Sequence, residues 1–208
     1  MFVIDFDDTL FKTEKFKQAR KAALLAVGVS EAIYDITYQE ARNSVDGLFT
    51  YSDERHAEML VKRRFDKQVV LEALAATTQD LKNFLDEEAE SFLKILKKIN
   101  EPLVLLSLGD PSFQELKVKA SGVAEYFERL FMVDASKEQV MRELLSAEPL
   151  AKFWFINDKV TETKNIVETF PSVNAVLKVS PRIPLAEYEA SSLPYFASLL
   201  EIAEYVTK

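Results

Sequence analysis

Phe2-Val3-Ile4 followed at once by Asp5-Phe6-Asp7-Asp8-Thr9-Leu10 is the stretch on which the fold turns. Three consecutive apolar residues read as a buried strand, and the abrupt change to acidic residues reads as a loop leaving its C-terminal end. Ligands of open parallel sheets collect at such ends. The same transition recurs at Leu103-Val104-Leu105-Leu106 before Ser107-Leu108-Gly109-Asp110, and at Phe153-Trp154-Phe155-Ile156 before Asn157-Asp158. Further strands are expected at Leu130 to Val133 and Val173 to Val179. Between the strands lie expected helices near Pro111 to Ala120, Ser136 to Ser146 and Val160 to Phe170. Strands alternating with helices predict parallel βαβ units whose right-handed crossovers bring the strand ends to one edge.

From about Glu14 to Asp86 this rhythm breaks. In Glu54 to Phe65, the residues Ala57, Leu60, Val61 and Phe65 recur at helical spacing, and no convincing strand interrupts the block. The expected architecture is therefore an α/β core formed by residues 1–13 and 87–208, with an all-helical insert at 14–86. A helix from about Glu87 to Ile99 leads back into the core. The tail from Ser180 is punctuated by Pro181, Pro184 and Pro194 before a helix through Ala197 to Val206.

The 208 residues carry a formal net charge of -8, which disfavours a nucleic-acid partner because that binding needs clustered positive charge. There is no cysteine, so neither a disulfide nor a thiolate nucleophile or metal ligand exists. No stretch of about 18 apolar residues suggests a membrane span. The opening residues lack the pattern of a signal peptide, so a cytoplasmic protein is expected. With only four glycines and neither GxGxxG nor GxxxxGK[ST], a phosphate must be held without a glycine-rich loop.

A carboxylate attacks phosphorus when a cation neutralises the approach of two anions. Asp5, at a strand end, suits that role. Asp7, two residues on, shares its face if the extended conformation persists. Magnesium favours hard oxygen donors, for which Asp5, a main-chain carbonyl near Asp7 and Asp158 would suffice. Ser107 offers a hydroxyl, and the amides near Leu108 and Gly109 could hold phosphoryl oxygens. Lys137, after a strand and before a helix, is the favoured cation, with Lys117 and Lys119 as alternatives. Read separately, Asp7 to Thr9 also form a turn or capping cluster, Ser107 a turn serine and Asp158 a helix cap.

Asp5-Phe6-Asp7-Asp8-Thr9-Leu10, Ser107, Lys137 and Asp158, in that order, resemble the four motifs of the haloacid dehalogenase superfamily. The resemblance implies a Rossmann-like parallel sheet flanked by helices, with the insert as a helical cap closing over substrate. It implies that Asp5 is the nucleophile, Asp7 the acid and base, and Thr9 a support for the Asp7 loop. Ser107 and Lys137 would bind the transferring group. Asp5, the Asp7 carbonyl and Asp158 would ligate Mg2+, with Glu162 in or near the metal shell. The expected activity is hydrolysis of a small phosphorylated metabolite through an aspartyl-phosphate. A phosphomutase, or a binding protein that kept the fold without turnover, are the alternatives. The last motif departs from the family: Asn157-Asp158-Lys159-Val160-Thr161-Glu162 stands where Gly-Asp and a later Asp are usual. Three cap features are open. His56 either packs or contacts substrate, Lys62-Arg63-Arg64 is either a solvated face or a steering patch, and Gly47-Leu48-Phe49 with Tyr51 either packs or faces the site.

Overall fold

The computed structural model describes residues 1–42, 50–149 and 151–208. Gly47 to Phe49, and with them the expected loop facing the site, lie outside these residues.

The opening apolar run forms strand β1, Phe2–Ile4, whose side chains are all buried. It sits inside the sheet, parallel to β2, Leu103–Leu108, on one side and β4, Phe153–Asn157, on the other. Ile4 is level with Leu105 and with Ile156, so the three acidic or polar loops seen in the sequence emerge side by side. Strand β3, Arg129–Val133, flanks β2; β5, Val173–Lys178, and the two-residue β6, Tyr195–Phe196, extend the other side. The order is β3-β2-β1-β4-β5-β6, all parallel. The chain winds outward from β1 to β3, then returns to the other side of β1 to start again with β4. The crevice beyond the carboxyl ends of β1 and β4 is thus the topological switch point, where such sheets bind ligands.

Alternation along the strands fills both faces. Phe2, Ile4, Leu103, Leu105 and Ile156 pack with Phe92, Leu93 and Leu96 of helix α5, Ala89–Lys97, and with Leu199 and Ile202 of helix α10, Leu199–Val206. The spacing of Ala89, Phe92, Leu93 and Leu96 is that of one apolar helix face. Val3, Val104, Leu106 and Phe155 point the other way, onto Val140, Met141 and Leu144 of α7, Lys137–Ala147, and Ile166 of α8, Val160–Thr169. Helix α6, Pro111–Ala120, starts with proline at its first turn and the Asp110 side chain accepting from the Phe113 amide.

Helices α1, Thr13–Ala26, α2, Glu31–Arg42, α3, Asp53–Val61, and α4, Lys67–Ala76, gather a separate apolar cluster. It contains Leu24, Tyr34, Ala57, Leu60, Val70 and Leu74. Helix α1 serves both bodies: Phe16 packs into the core beside Phe11, while Leu24, two turns on, belongs to the helical cluster. Expected elements recur within a few residues of their sequence positions. The proline-punctuated tail differs, because it also holds helix α9, Leu185–Ala190, and strand β6. Pro184 immediately precedes α9, consistent with proline fixing the backbone before a helix rather than excluding one.

Candidate active site

Backbone pairing continues past β1, with the Asp5 amide donating to the Ile156 carbonyl at 2.9 Å. Asp5 therefore keeps to the Val3 face of the sheet, the face covered by α7. Lys137 is the first residue of that helix, after the capping Ser136. A cation at a helix N-terminus opposes the macrodipole, so local carboxylates must hold it there. They do: its ammonium donates to Asp5 Oδ1 at 2.5 Å and to Glu162 Oε2 at 2.7 Å. Burial disfavours its charge, yet Asp5 and Glu162 together raise its pKa above the ordinary lysine value, and the ammonium persists.

After Asp5 the chain turns sharply. Asp8 adopts a left-handed conformation with φ 58°, and the Leu10 and Phe11 amides both donate to the Phe6 carbonyl. This turn carries Thr9 back beneath Asp5, where its hydroxyl donates to Asp5 Oδ2 at 3.2 Å. Thr9 thus supports Asp5 rather than the Asp7 loop. Asp7 is held by a different set of groups. Lys117 donates to its two oxygens at 2.6 and 2.8 Å, the Gln114 amide to Oδ2 at 2.8 Å, and the Thr13 hydroxyl to Oδ1 at 2.9 Å. Burial pushes the Asp7 pKa up, but the Lys117 charge and these hydrogen bonds prevail and bring it to about 2.

The two lysines thus divide the two carboxylates, Lys137 on Asp5 and Lys117 on Asp7. Lys119 faces solvent and pairs with Glu115. Ser107 is wholly buried, and its Oγ has no hydrogen-bond partner among the described residues. Leu108 and Gly109 line the cavity at the sheet edge. The Gly109 amide, however, is taken by the Val133 carbonyl at 2.8 Å, so it is not free to hold a phosphoryl oxygen as the sequence suggested. Gly109 has another use. A Cβ there would stand 2.5 Å from Gln114 Nε2, and its absence lets that amide reach Asp7.

Asp158 follows β4 and is buried, with both carboxylate oxygens lacking a hydrogen-bond partner among the described residues. Its burial, and then the charges of Asp5 and Asp8, raise its pKa to about 8. A buried carboxyl group left unsatisfied beside two others is what a cation would relieve. Among the described residues, no three His, Cys, Asp or Glu side chains gather as a metal site. The donor chemistry still fits magnesium, which accepts two carboxylates with a main-chain carbonyl and several waters. Glu162 is directed elsewhere: besides Lys137, it accepts from Asn157 Nδ2 at 2.9 Å.

Four contributors carried no sequence signal: Thr13 and Gln114 around Asp7, Arg182 and Tyr188; Lys117, weighed from the sequence as an alternative to Lys137, holds Asp7 instead. Arg182 forms an ion pair with Asp8. The buried Tyr188 hydroxyl donates to the Asp158 carbonyl at 2.9 Å and accepts from the Ser180 amide at 3.0 Å, tying the tail to the loop after β4. His56 is buried in the helical cluster, bonded to Thr37 and Tyr51, and Arg63 is paired with Glu40. A cavity of about 200 Å³ joins Asp5 and Asp7 to the helices above them, lined there by Phe16, Lys17, Tyr38 and Tyr51.

No curated protein matches the chain in sequence. Solved structures do match its fold. A protein of Burkholderia xenovorans named as a haloacid dehalogenase-like hydrolase superposes with TM-score 0.75 at 19% identity, covering 98% of this chain and 94% of that one. The L-2-haloacid dehalogenase of Xanthobacter autotrophicus, with chloropropionic acid covalently bound, gives TM-score 0.64 at 14% identity, covering 99% and 97%. A protein of Haemophilus somnus, assigned by prediction as a phosphoglycolate phosphatase, gives 0.61 at 13%, covering 100% and 97%. At such identities the likeness is one of fold. The family model of the haloacid dehalogenase-like hydrolases matches residues 1–155, about three quarters of the chain, and the chain belongs to that family of hydrolases.

Proposed function

We propose that this hydrolase is a magnesium-dependent phosphatase acting on a small phosphomonoester. The observation that carries the reading is Asp7, a second carboxylate beside Asp5 in one cavity. A leaving alkoxide needs a proton, whereas a leaving halide does not, so an acid at this position favours phosphate esters over haloacids.

Asp5 is assigned as the nucleophile. One of its carboxylate oxygens forms a bond to phosphorus, the ester P–O bond breaks, and the alcohol oxygen takes its proton from Asp7. Asp7 is ionised while Lys117 holds it; the negative charge of an entering phosphoryl group raises its proton affinity, and Asp7 takes up a proton from solvent before the ester bond breaks. In the second half-reaction Asp7 takes a proton from water, the water oxygen bonds to phosphorus, and the bond to Asp5 breaks. Lys137 fixes Asp5 through its ammonium and offsets charge on the transferring group. The unpaired Ser107 hydroxyl at the end of β2 is assigned to a phosphoryl oxygen.

Asp5, the Asp7 carbonyl and Asp158 would hold magnesium, which when bound supplies charge neutralisation between nucleophile and phosphate. Glu162 acts here through Lys137, as its second anionic partner. The helices α1 to α4 act as the cap, excluding water and selecting the leaving group.

The test compares phosphate release from a panel of small phosphomonoesters with chloride release from 2-chloropropionate, both with magnesium. Phosphate release is expected. Chloride release without phosphate release would make the protein a dehalogenase. Interconversion of phosphate isomers without net release would make it a mutase.

A further inference from the structure

An ammonium group carries three N–H donors, and three acceptors already claim those of Lys137. Asp5 Oδ1 lies at 2.5 Å, Glu162 Oε2 at 2.7 Å and Asn157 Oδ1, more loosely, at 3.5 Å, and the side chain is 1% exposed. A phosphoryl oxygen would have to displace one of them. Lys117 is committed in the same way, with both Asp7 oxygens within 2.8 Å and 4% of its side chain exposed. Lys17, Arg20 and Arg182 also line the cavity, but they meet Glu14, Asp53 and Asp8. Phosphoryl transfer relies on fixed cations at the oxygens where charge develops, so a cation with free donors is needed at the Asp5 end.

Lys159 stands differently. It directly follows Asp158 at the switch point between β1 and β4, and it lines both the cavity that holds Asp5 and Asp7 and the neighbouring groove that holds Ser136 and Glu162. Its backbone is fixed at the start of α8, where its carbonyl accepts from the Thr163 amide at 3.0 Å and the Thr163 hydroxyl at 2.8 Å. Its side chain is not: half-buried, it has no hydrogen bond or ion pair among the described residues. Burial disfavours the charged forms of Asp5, Asp158 and Glu162, and the Lys159 charge opposes that at all three, which puts the ammonium within electrostatic reach of the nucleophile.

We propose that Lys159 is a further catalytic residue, the lysine whose ammonium contacts the oxygens of the transferring phosphoryl group, while Lys137 holds and orients Asp5. The assignment rests on the phosphatase reading for the reaction, while the contact with a phosphate oxyanion stands on the geometry of the Asp5 end. The two tasks of a phosphate-site lysine are thus divided between two side chains. The backbone of Lys159 is held by the same turn that presents Asp158, so the cation enters the site from a fixed base.

The test measures inorganic phosphate binding by isothermal titration to the wild type, Lys159→Gln and Lys159→Arg, each with saturating magnesium, alongside kcat/KM for a small phosphomonoester. Glutamine removes the charge, and arginine restores it. Lys159→Gln should weaken phosphate binding about ten-fold or more, the scale of one hydrogen bond to a charged group, and lower kcat/KM at least as far. Lys159→Arg should recover part of both. Because the side chain makes no polar contact among the described residues, neither the urea midpoint nor the magnesium-induced rise in Tm should fall in either variant. Equal phosphate affinity in the wild type and Lys159→Gln would overturn the assignment. So would a joint loss of phosphate and magnesium binding, the mark of a disturbed loop rather than a lost contact. Phosphate binding that depends on Lys159, in a protein that hydrolyses no phosphomonoester, would sink the phosphatase reading and leave the Lys159 contact standing. Absence of phosphate binding to the wild type would overturn both.

Discussion

Asp7 and Lys117 form the most consequential side-chain pair outside the Asp5 cluster. Lys117 is almost wholly buried, and its ammonium lies 5.4 to 5.5 Å from the ring centres of Phe6, Phe11 and Phe113. Removing one partner of such a pair strands a charge in a medium that solvates it poorly. Lys117→Met should therefore destabilise the fold by about 2 to 3 kcal/mol, below the usual cost for a fully buried pair because Asp7 is partly exposed. Adding Asp7→Asn should recover part of that loss, so urea titration of the four proteins should give a double-mutant loss smaller than the sum of the two single losses. Additive losses would show that the pair is not coupled. Gly109→Ala tests the same carboxylate from the other side. Its Cβ would displace the Gln114 amide from Asp7, and turnover should fall ten- to a hundred-fold, as expected for a misplaced catalytic group. Unchanged turnover would show that Gln114 has no part in placing Asp7. Asp5, Asp7, Lys137 and Asp158 could be singled out in the sequence because each lies next to a strand or helix end that sequence patterning reveals. Thr13 and Gln114 could not, and Lys117 could be named only as an alternative to Lys137, since their place around Asp7 arises only when α1 and α6 converge on one loop.

At the scale of elements, the helical cluster is held by polar groups as well as apolar ones. Arg20 pairs with Asp53 and donates to Tyr51 at 3.0 Å, while His56 accepts or donates between Thr37 at 3.0 Å and Tyr51 at 2.9 Å. Burial, then the Arg20 charge, lower the His56 pKa to about 4. The unfolded chain binds that proton near pH 6.5, so the neutral imidazole stabilises the fold above that pH. This contribution is lost as pH falls from about 6.5 towards 4, and amounts to about 2 kcal/mol by pH 5. Urea midpoints at pH 7 and pH 5 should therefore differ less in His56→Gln than in the wild type. Equal pH dependence in the two proteins would contradict the assignment. The helical character of the block that holds α1 to α4 was legible through spacing such as that of Glu54 to Phe65, though its division into four helices was not. Helix α9 and strand β6 were not legible, because they are six and two residues long, α9 between Pro184 and Pro194 and β6 directly after Pro194, where patterning has too few positions to register.

For the whole molecule, the sheet order explains why residues over a hundred positions apart meet. Winding outward from β1 and then back to β4 brings Asp5 and Asp158 to the same crevice, and α7 crosses to deliver Lys137. The strand alternation in the sequence allowed that order to be anticipated in class, but neither the neighbour of β1 nor the tail's return to Asp158 through Tyr188 could be read from it. Magnesium binding at this crevice should stabilise the folded chain alone. At a hundred-fold excess over its dissociation constant, the gain is about 2.7 kcal/mol, or roughly 5 to 10 °C in Tm for a chain of this size. Asp158→Asn should lose most of that shift, and identical melting with magnesium and with chelator would exclude the site. The central claim, that Asp5 carries phosphoryl transfer, is tested most directly by phosphate release from small phosphomonoesters with magnesium, comparing wild-type and Asp5→Asn proteins. We expect release by the wild type and a loss of at least about a thousand-fold in the variant; release that persists in Asp5→Asn would contradict the account.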